Sequence, residues 1–321
     1  MNKIFTFLKF LKRHILFTIP IVIVFGLFCG YYFDLSFGKF LIIPLTILIV
    51  FPIMIGLNIK EIFSFCDLKL QLYTLIVNFT LIPLIGFIFI ELFFSNNVSL
   101  SLGFLLIALL PASGGMTITW TGLAKGNVNA SVKMTVIGLL IGAVLAPFYM
   151  KFILDASVVF PLLKIFKQII LIVFIPLIIG YFTRVLLFKN YGHKKFNKTV
   201  KPKLPVLSNL GLILLIFIAT ALKANSILEN PLIIIKIIIP LLIFYVLNYA
   251  VLTIIGKYFL SKEDCIAHIY GTALRSLGIA LALVINTFEN FGSHIALMIA
   301  LAYIIQIQTA SWYLKLVDKI L

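Results

Sequence analysis

The chain has 321 residues, 63% of them hydrophobic, and carries a formal net charge of +16. That apolar fraction is far above what a soluble domain carries and marks an integral membrane protein. No GxxxxGK[ST] loop is present, which argues against an ATP-driven pump built from this chain alone, and the basic residues are spread like topology determinants rather than gathered into a nucleic-acid-binding face.

In chain order, the basic segment 1–14 with Lys3, Lys9, Lys12 and Arg13 comes first. It resembles the start of a signal peptide, but the apolar run behind it is long enough to span a bilayer and no small-residue cleavage site follows. Hydrophobic runs predict ten spans, at 15–33, 40–58, 72–95, 100–123, 129–152, 166–186, 204–222, 232–256, 264–287 and 293–316. With the N-terminus inside, the inner segments hold most of the Lys and Arg residues, and the outer ones only Lys39, Lys151, Lys164, Lys167 and Lys223. The positive-inside rule then predicts a multi-pass plasma-membrane protein with both termini in the cytoplasm. Lys133 and Lys236 lie one turn inside their spans, where their long side chains are expected to snorkel to the surface.

The fourth span contains PASGGMTITWTGLAKGN, from Pro111 to Asn127, and is not expected to be a continuous helix. Pro111, Ser113, Gly114 and Gly115 are read as the break. A break inside a membrane strands backbone polar groups unless protein or a water-filled cavity meets them, so it marks a candidate site.

The two halves of the chain look alike. VNFTLIPLIGF (Val77 to Phe87) in the third span matches LNYAVLTIIGK (Leu247 to Lys257) in the eighth, setting Asn78 opposite Asn248. Five spans per copy force the second copy to enter from the other side, which makes an inverted repeat. The reading is therefore all-α and membrane-integral: a first five-helix repeat over 15–152, a connector at 153–165, a second inverted repeat over 166–316, and a C-terminus at 317–321. GTALRSLGIAL (Gly271 to Leu281) in the ninth span is set against GGMTITWTGLA (Gly114 to Ala124), which makes Gly271, Ser276 and Gly278 the second break, with Arg275 beside it. Two interrupted helices at matching positions point to a midplane binding site where they cross.

Through Pro111, GMTITW (Gly115 to Trp120), LAKGN (Leu123 to Asn127) and ALRSLGIALAL (Ala273 to Leu283), the chain resembles the superfamily that joins bile acid:sodium symporters to the arsenical-resistance permeases, the latter branch more closely. The resemblance implies a panel domain of spans 1, 2, 6 and 7 and a core domain of spans 3 to 5 and 8 to 10, with spans 4 and 9 unwound and crossing. It also implies alternating access by movement of core against panel. Where arsenite permeases place a cysteine and a glutamate, this chain has Ala112 and Gly278. Where sodium-coupled members place Ser-Asn and a carboxylate plus glutamine, it has Thr117, Ile118, Gly271 and Arg275, and only Ser131 and Thr135 match that sodium motif.

Arg275 is the sharpest feature, because a guanidinium within a span is costly unless it meets a cavity or a partner, and no acidic residue lies mid-span. It has three readings: a bidentate fork for an anionic substrate, a built-in cation in place of sodium, or a structural cap on helix-end carbonyls. Thr117, Thr119, Ser113, Ser276, Ser131 and Thr135 are candidate hydroxyl contacts, in competition with ordinary interhelical hydrogen bonding. Asn78 and Asn248 are expected to brace the crossovers, and Trp120 to close the cavity or anchor at the interface. Cys29, Cys66, Cys265 and the four histidines show no metal-ligand spacing, so neither a metal nor a cofactor is expected.

The spans hold no paired Asp, Ser/Lys or Ser/His pair or HExxH, so transport rather than catalysis is the expected activity. The expectation is export of a small anion or metalloid of arsenite type, with sodium-coupled uptake of an organic anion as the alternative. Na+ or H+ are the candidate coupling ions, the bilayer is the other partner, and the sequence carries no mark of oligomeric state.

Overall fold

The computed structural model describes residues 15–56, 67–110, 114–153, 167, 170–222, 224–228, 232–287 and 292–321. Among these residues all regular structure is helical. The helices are α1 (Ile15–Tyr32), α2 (Gly38–Gly56), α3 (Leu68–Ile76), α4 (Ile82–Phe93), α5 (Val98–Leu109), α6 (Gly114–Leu123), α7 (Val128–Ile153), α8 (Ile175–Lys195), α9 (Leu204–Ala221), α10 (Ala224–Leu228), α11 (Leu232–Phe259), α12 (Lys262–Ala273), α13 (Leu277–Thr287) and α14 (Gly292–Ile320).

Among the described residues five stretches are long and apolar enough to cross a membrane: Leu68–Phe93, Val128–Tyr149, Phe196–Ile218, Leu232–Phe259 and His294–Ile320. Large apolar side chains such as Phe17, Ile21, Phe25 and Phe28 on α1 and Ile235, Ile239 and Ile243 on α11 point outward rather than into the core. In water that distribution would be an aggregation hazard; against hydrocarbon it is the expected surface, and the chain is a multi-pass membrane protein.

The helices sort into two groups by their packing. One holds α1, α2, α8 and α9, with α9 lying along both α1 and α2. Close approach is enabled by Gly26 and Gly30 on α1, spaced GxxxG, where any side chain would run into Thr220 and the Ala221 carbonyl of α9. The other group gathers α3 to α7 and α11 to α14 around α5. Its interior is a ring cluster: Phe89 stacks on Phe104 with centroids 5.7 Å apart, and Phe244 meets Phe104 edge-on at 5.0 Å. The groups touch where α13 packs on α2 and α14 packs on α1 and α9.

Two short helices lie at the centre of the second group. Every residue of α5 from Ser99 to Leu109 is buried, as is every residue of α12 from Cys265 to Ala273. α5 is apolar on nearly all sides and is buried on all sides, and α12, which also buries the polar His268 and Thr272, is enclosed in the same way. Between α3 and α4 the chain passes through a π-helical turn, Val77–Leu81, and the Tyr149 hydroxyl donates to the Phe79 carbonyl within it. Wide turns of this kind interrupt the regular ladder, and here the turn presents Asn78 to the centre of the group.

Candidate functional site

Both buried half-helices end the same way. α5 starts with the Asn97 side chain accepting from the Leu100 N–H at 3.1 Å and ends at an extended Leu110, φ −94° and ψ 90°. α12 starts with Ser261 Oγ accepting from the Asp264 N–H at 3.4 Å and ends at an extended Leu274, φ −86° and ψ 110°. Leu110 precedes Pro111, whose ring pushes the preceding residue out of the α region, so the first stop is written in the sequence. Leu274 has no such neighbour.

The glycines expected at the breaks flank them. Gly114 and Gly115 are the first two residues of α6, Gly271 lies inside α12 and Gly278 inside α13. The described backbone leaves the helix at Leu110, directly before Pro111, and at Leu274 to Ser276, between Gly271 and Gly278. Gly271 and Gly278 instead serve close packing: a Cβ at Gly271 would lie 2.7 Å from Met134 Sδ of α7, and one at Gly278 3.0 Å from Ile49 Cγ2 of α2. Pro111 and Ser113 lie outside the described residues.

The two breaks meet. The Ser276 N–H donates to the Leu110 carbonyl at 3.0 Å, and Thr117 Oγ1 of α6 donates to the Tyr270 carbonyl in the last turn of α12 at 3.4 Å. The carbonyl end of α5 therefore meets the amide start of α13, and the carbonyl end of α12 is bonded by α6. Arg275 sits there, fully buried.

Its surroundings explain how a charged side chain is held. Nη1 donates to Asn78 Oδ1 at 2.9 Å, and Asn78 Nδ2 reaches Thr272 Oγ1 at 3.4 Å. One side chain bonds both backbone groups of Arg275: its N–H donates to Gln306 Oε1 at 2.6 Å, and Gln306 Nε2 donates to its carbonyl at 3.2 Å, a carbonyl that also accepts from the Leu277 N–H at 2.9 Å. Tyr245 Oη also donates to Gln306 Oε1, at 3.0 Å. The partner of the guanidinium is an amide and not a carboxylate, so its charge is not cancelled by that contact. Among the described residues Nε and Nη2 have no hydrogen-bond partner. These two nitrogens form one edge of the guanidinium, the edge that takes two oxygens of a single ligand side by side.

The remaining expected residues divide. Ser276 is buried and contributes its backbone to the junction, and Thr117 is buried against Tyr270. Thr119, on the same helix, is exposed. Ser131 Oγ donates to the Val128 carbonyl at 2.7 Å and Thr135 Oγ1 to the Ser131 carbonyl at 2.9 Å, so both hydroxyls are engaged on their own helix. Asn78 ties Arg275 to Thr272 of α12, whereas Asn248 is fully buried and neither of its side-chain polar atoms has a partner among the described residues. Trp120 lies stacked over Tyr270, centroids 6.3 Å apart, and does not stand as an isolated surface anchor. Lys133 does not snorkel: its side chain is 6% exposed and its Nζ is 3.3 Å from Asp67 Oδ2.

Sequence reasoning missed Gln306 and Tyr245. The available signal was an amide in the middle of a long apolar helix, a placement with the same cost as any mid-span polar group.

Comparison with known proteins follows the same lines. The model of the Sodium Bile acid symporter family matches residues 43–230. Arsenical-resistance protein Acr3 of Alkaliphilus metalliredigens is 26% identical over 216 residues, covering 63% of this chain and 60% of that protein. Arsenical-resistance protein Acr3 of Corynebacterium glutamicum is 24% identical over 234 residues, covering 69% of this chain and 63% of that protein. The chain thus spans about 60% of the length of these curated relatives. With the family model matching more than half of its residues, the chain belongs to the Sodium Bile acid symporter family.

Proposed function

We propose that this chain is a secondary transporter that exports a small anion or metalloid oxyacid from the cell by alternating access. In this reading ten spans form two inverted five-helix repeats in the plasma membrane, with both termini cytoplasmic and the fourth and ninth spans crossing at the site. The observation that carries the reading is the unbonded Nε and Nη2 edge of Arg275, buried where the two half-helices end. A buried guanidinium with an open edge is a ready-made seat for two oxygens of one ligand, anionic or neutral.

In this mechanism Arg275 contacts the substrate and Asn78 holds the guanidinium in place. Thr117, Thr119, Ser113, Ser276, Ser131 and Thr135 are the candidate hydroxyl contacts to the substrate. A fixed positive charge at the site allows an anion to leave a cell with negative interior down the electrical gradient. That gradient is worth about 2.3 kcal/mol per charge per 100 mV, a concentration ratio of about 40-fold without any coupling ion. The relatives named for arsenical resistance make arsenite the first substrate to test. Ala112, where the resemblance places a cysteine in arsenite permeases, moves recognition from thiolate to hydrogen bonding.

A second reading, sodium-coupled uptake of an organic anion, draws on the family's own description. Arg275 already places a cation at the site, which favours the first reading.

The test is arsenite accumulation in everted vesicles carrying the chain, the Arg275→Ala variant, or neither, with and without sodium. Accumulation above both controls and independent of sodium supports export through Arg275. Folded, inserted protein that moves no more arsenite than empty vesicles would set arsenite aside. Sodium-dependent movement of a carboxylate would favour the second reading.

A further inference from the structure

On the outer surface, away from the crossing, α11 and α14 diverge to leave an open groove of about 390 Å³. Its walls are almost entirely apolar, with Val246 and Ile254 on one side and Trp312, Leu316 and Ile320 on the other, and Tyr249 in the floor. Both walls are helical stripes at spacings of three and four residues, and both end in lysine. On α11 the stripe runs on to Lys257; on α14 Lys315 and Lys319 stand beside Leu316 and Ile320. Lys257 Nζ donates to the Ile320 carbonyl at 2.9 Å, which fixes its ammonium at the mouth of the groove. The acidic residue nearest in sequence, Asp318, is paired with Lys262 at 3.4 Å.

We propose that this groove binds one acyl chain of an anionic glycerophospholipid, with the phosphate at Lys257, Lys315 and Lys319. Two observations select this occupant. First, the length fits one leaflet: from Val246 to Lys257 the helix rises about 16 Å, half of a hydrocarbon core of about 30 Å, so a chain lying in the groove ends near the bilayer midplane. Second, three ammonium groups at the interfacial end complement a phosphodiester, and basic clusters at the ends of apolar inter-helix pockets are where anionic headgroups sit. The arrangement is amphipathic along its own axis, as a lipid is.

Occupancy would reach the crossing through the floor. Tyr249 stacks on Tyr313 with centroids 4.8 Å apart, both rings meet Tyr270 edge-on at about 6 Å, and the Tyr270 carbonyl is the acceptor for Thr117. A chain seated against Tyr249 and Tyr313 therefore backs the last turn of α12.

The chain has two tryptophans, so Trp120→Phe leaves Trp312, in the groove wall, as the single reporter. In vesicles containing dibrominated phosphatidylglycerol, Trp312 fluorescence should be half-quenched at a mole fraction about fivefold lower than with dibrominated phosphatidylcholine. Each lysine near a membrane surface contributes attraction of about that factor. Lys257→Gln together with Lys319→Gln should bring the two lipids level. Equal quenching by both lipids in the unaltered groove would mean ordinary bulk contact and overturn the proposal. Trp312 resistant to both lipids until the protein is diluted in the bilayer would mean that a second copy covers the face, which also overturns it. Native mass spectrometry of the unmodified protein and the double lysine variant serves as the second measurement. Retention of phosphatidylglycerol over phosphatidylcholine by the first and not the second is expected, and indifference to either lipid in the first sinks the idea.

Discussion

The side chain of Gln306 bonds both backbone groups of Arg275, accepting from its N–H at 2.6 Å and donating to its carbonyl at 3.2 Å. An amide side chain here replaces the two helical bonds that the break removes. Removing it strands two buried groups, the Arg275 N–H and the Tyr245 hydroxyl, each costing about 1–3 kcal/mol, while the Arg275 carbonyl keeps the Leu277 N–H at 2.9 Å. Gln306→Leu is therefore expected to lower stability by about 2–5 kcal/mol, read as a fall in the melting temperature of the purified protein; an unchanged melting temperature would show that the break is held by something else.

Asn78 offers a sharper test of the site. Asn78→Ala removes the acceptor for Arg275 Nη1 and should reduce transport at least about tenfold in protein that still inserts. Asn78→Asp should behave differently, since a carboxylate beside the guanidinium makes a buried ion pair that cancels its charge. The expected result is a protein as stable as the parent that no longer moves the anion. Retained transport in Asn78→Asp would remove the charge of Arg275 from the mechanism.

Arg275→Lys keeps the charge and loses the planar edge. If two oxygens of one ligand seat on Nε and Nη2, lysine should raise the substrate concentration for half-maximal flux by about tenfold or more while protein levels in the membrane stay normal. Parent-like flux would mean that charge alone suffices.

Gly86 on α4 faces α5, and a Cβ there would lie 2.6 Å from the Ala108 Cβ, an atom that moves only with its backbone. Gly86→Ala is expected to cost about 1–3 kcal/mol. Gly271→Ala should cost less, because its neighbour is the tip of the flexible Met134 side chain. Comparative thermal unfolding of the two variants checks the order.

The pair of Lys133 and Asp67 joins α7 to the start of α3, with side chains 6% and 27% exposed. Asp67→Asn leaves the lysine charge largely buried and is expected to destabilise by about 1–3 kcal/mol, with part of the loss restored by adding Lys133→Met. A double variant no better than the single would show that the lysine does not depend on this carboxylate.

What the sequence made legible follows from where each cause resides. Hydrophobic runs located the helical segments because membrane length is a property of consecutive residues. The first break was legible because Pro111 acts on its own neighbour, Leu110. The second break lies between Gly271 and Gly278, but its backbone is held at Arg275 by Gln306, some thirty residues away in sequence and visible only once α14 is folded against it. Arg275 stood out as an uncompensated charge, but which of its nitrogens stay open depends on Asn78, brought to it by a π-helical turn that no local propensity announces. The hydroxyls of Ser131 and Thr135 were over-read, since serine and threonine in helices routinely bond back to carbonyls of the preceding turn.

The amide of Ser276 bonded to the carbonyl of Leu110 fastens the two discontinuities at a single pin. Helices sharing a pin cannot slide apart without stranding a carbonyl in hydrocarbon, at a cost of several kcal/mol. The arms on either face of the pin then behave as one lever, and a tilt on one side is felt on the other. In the proposed transport cycle a ligand on Arg275 would rest at the fulcrum, where a lever travels least, so that the openings would move past the cargo while the cargo stayed nearly still.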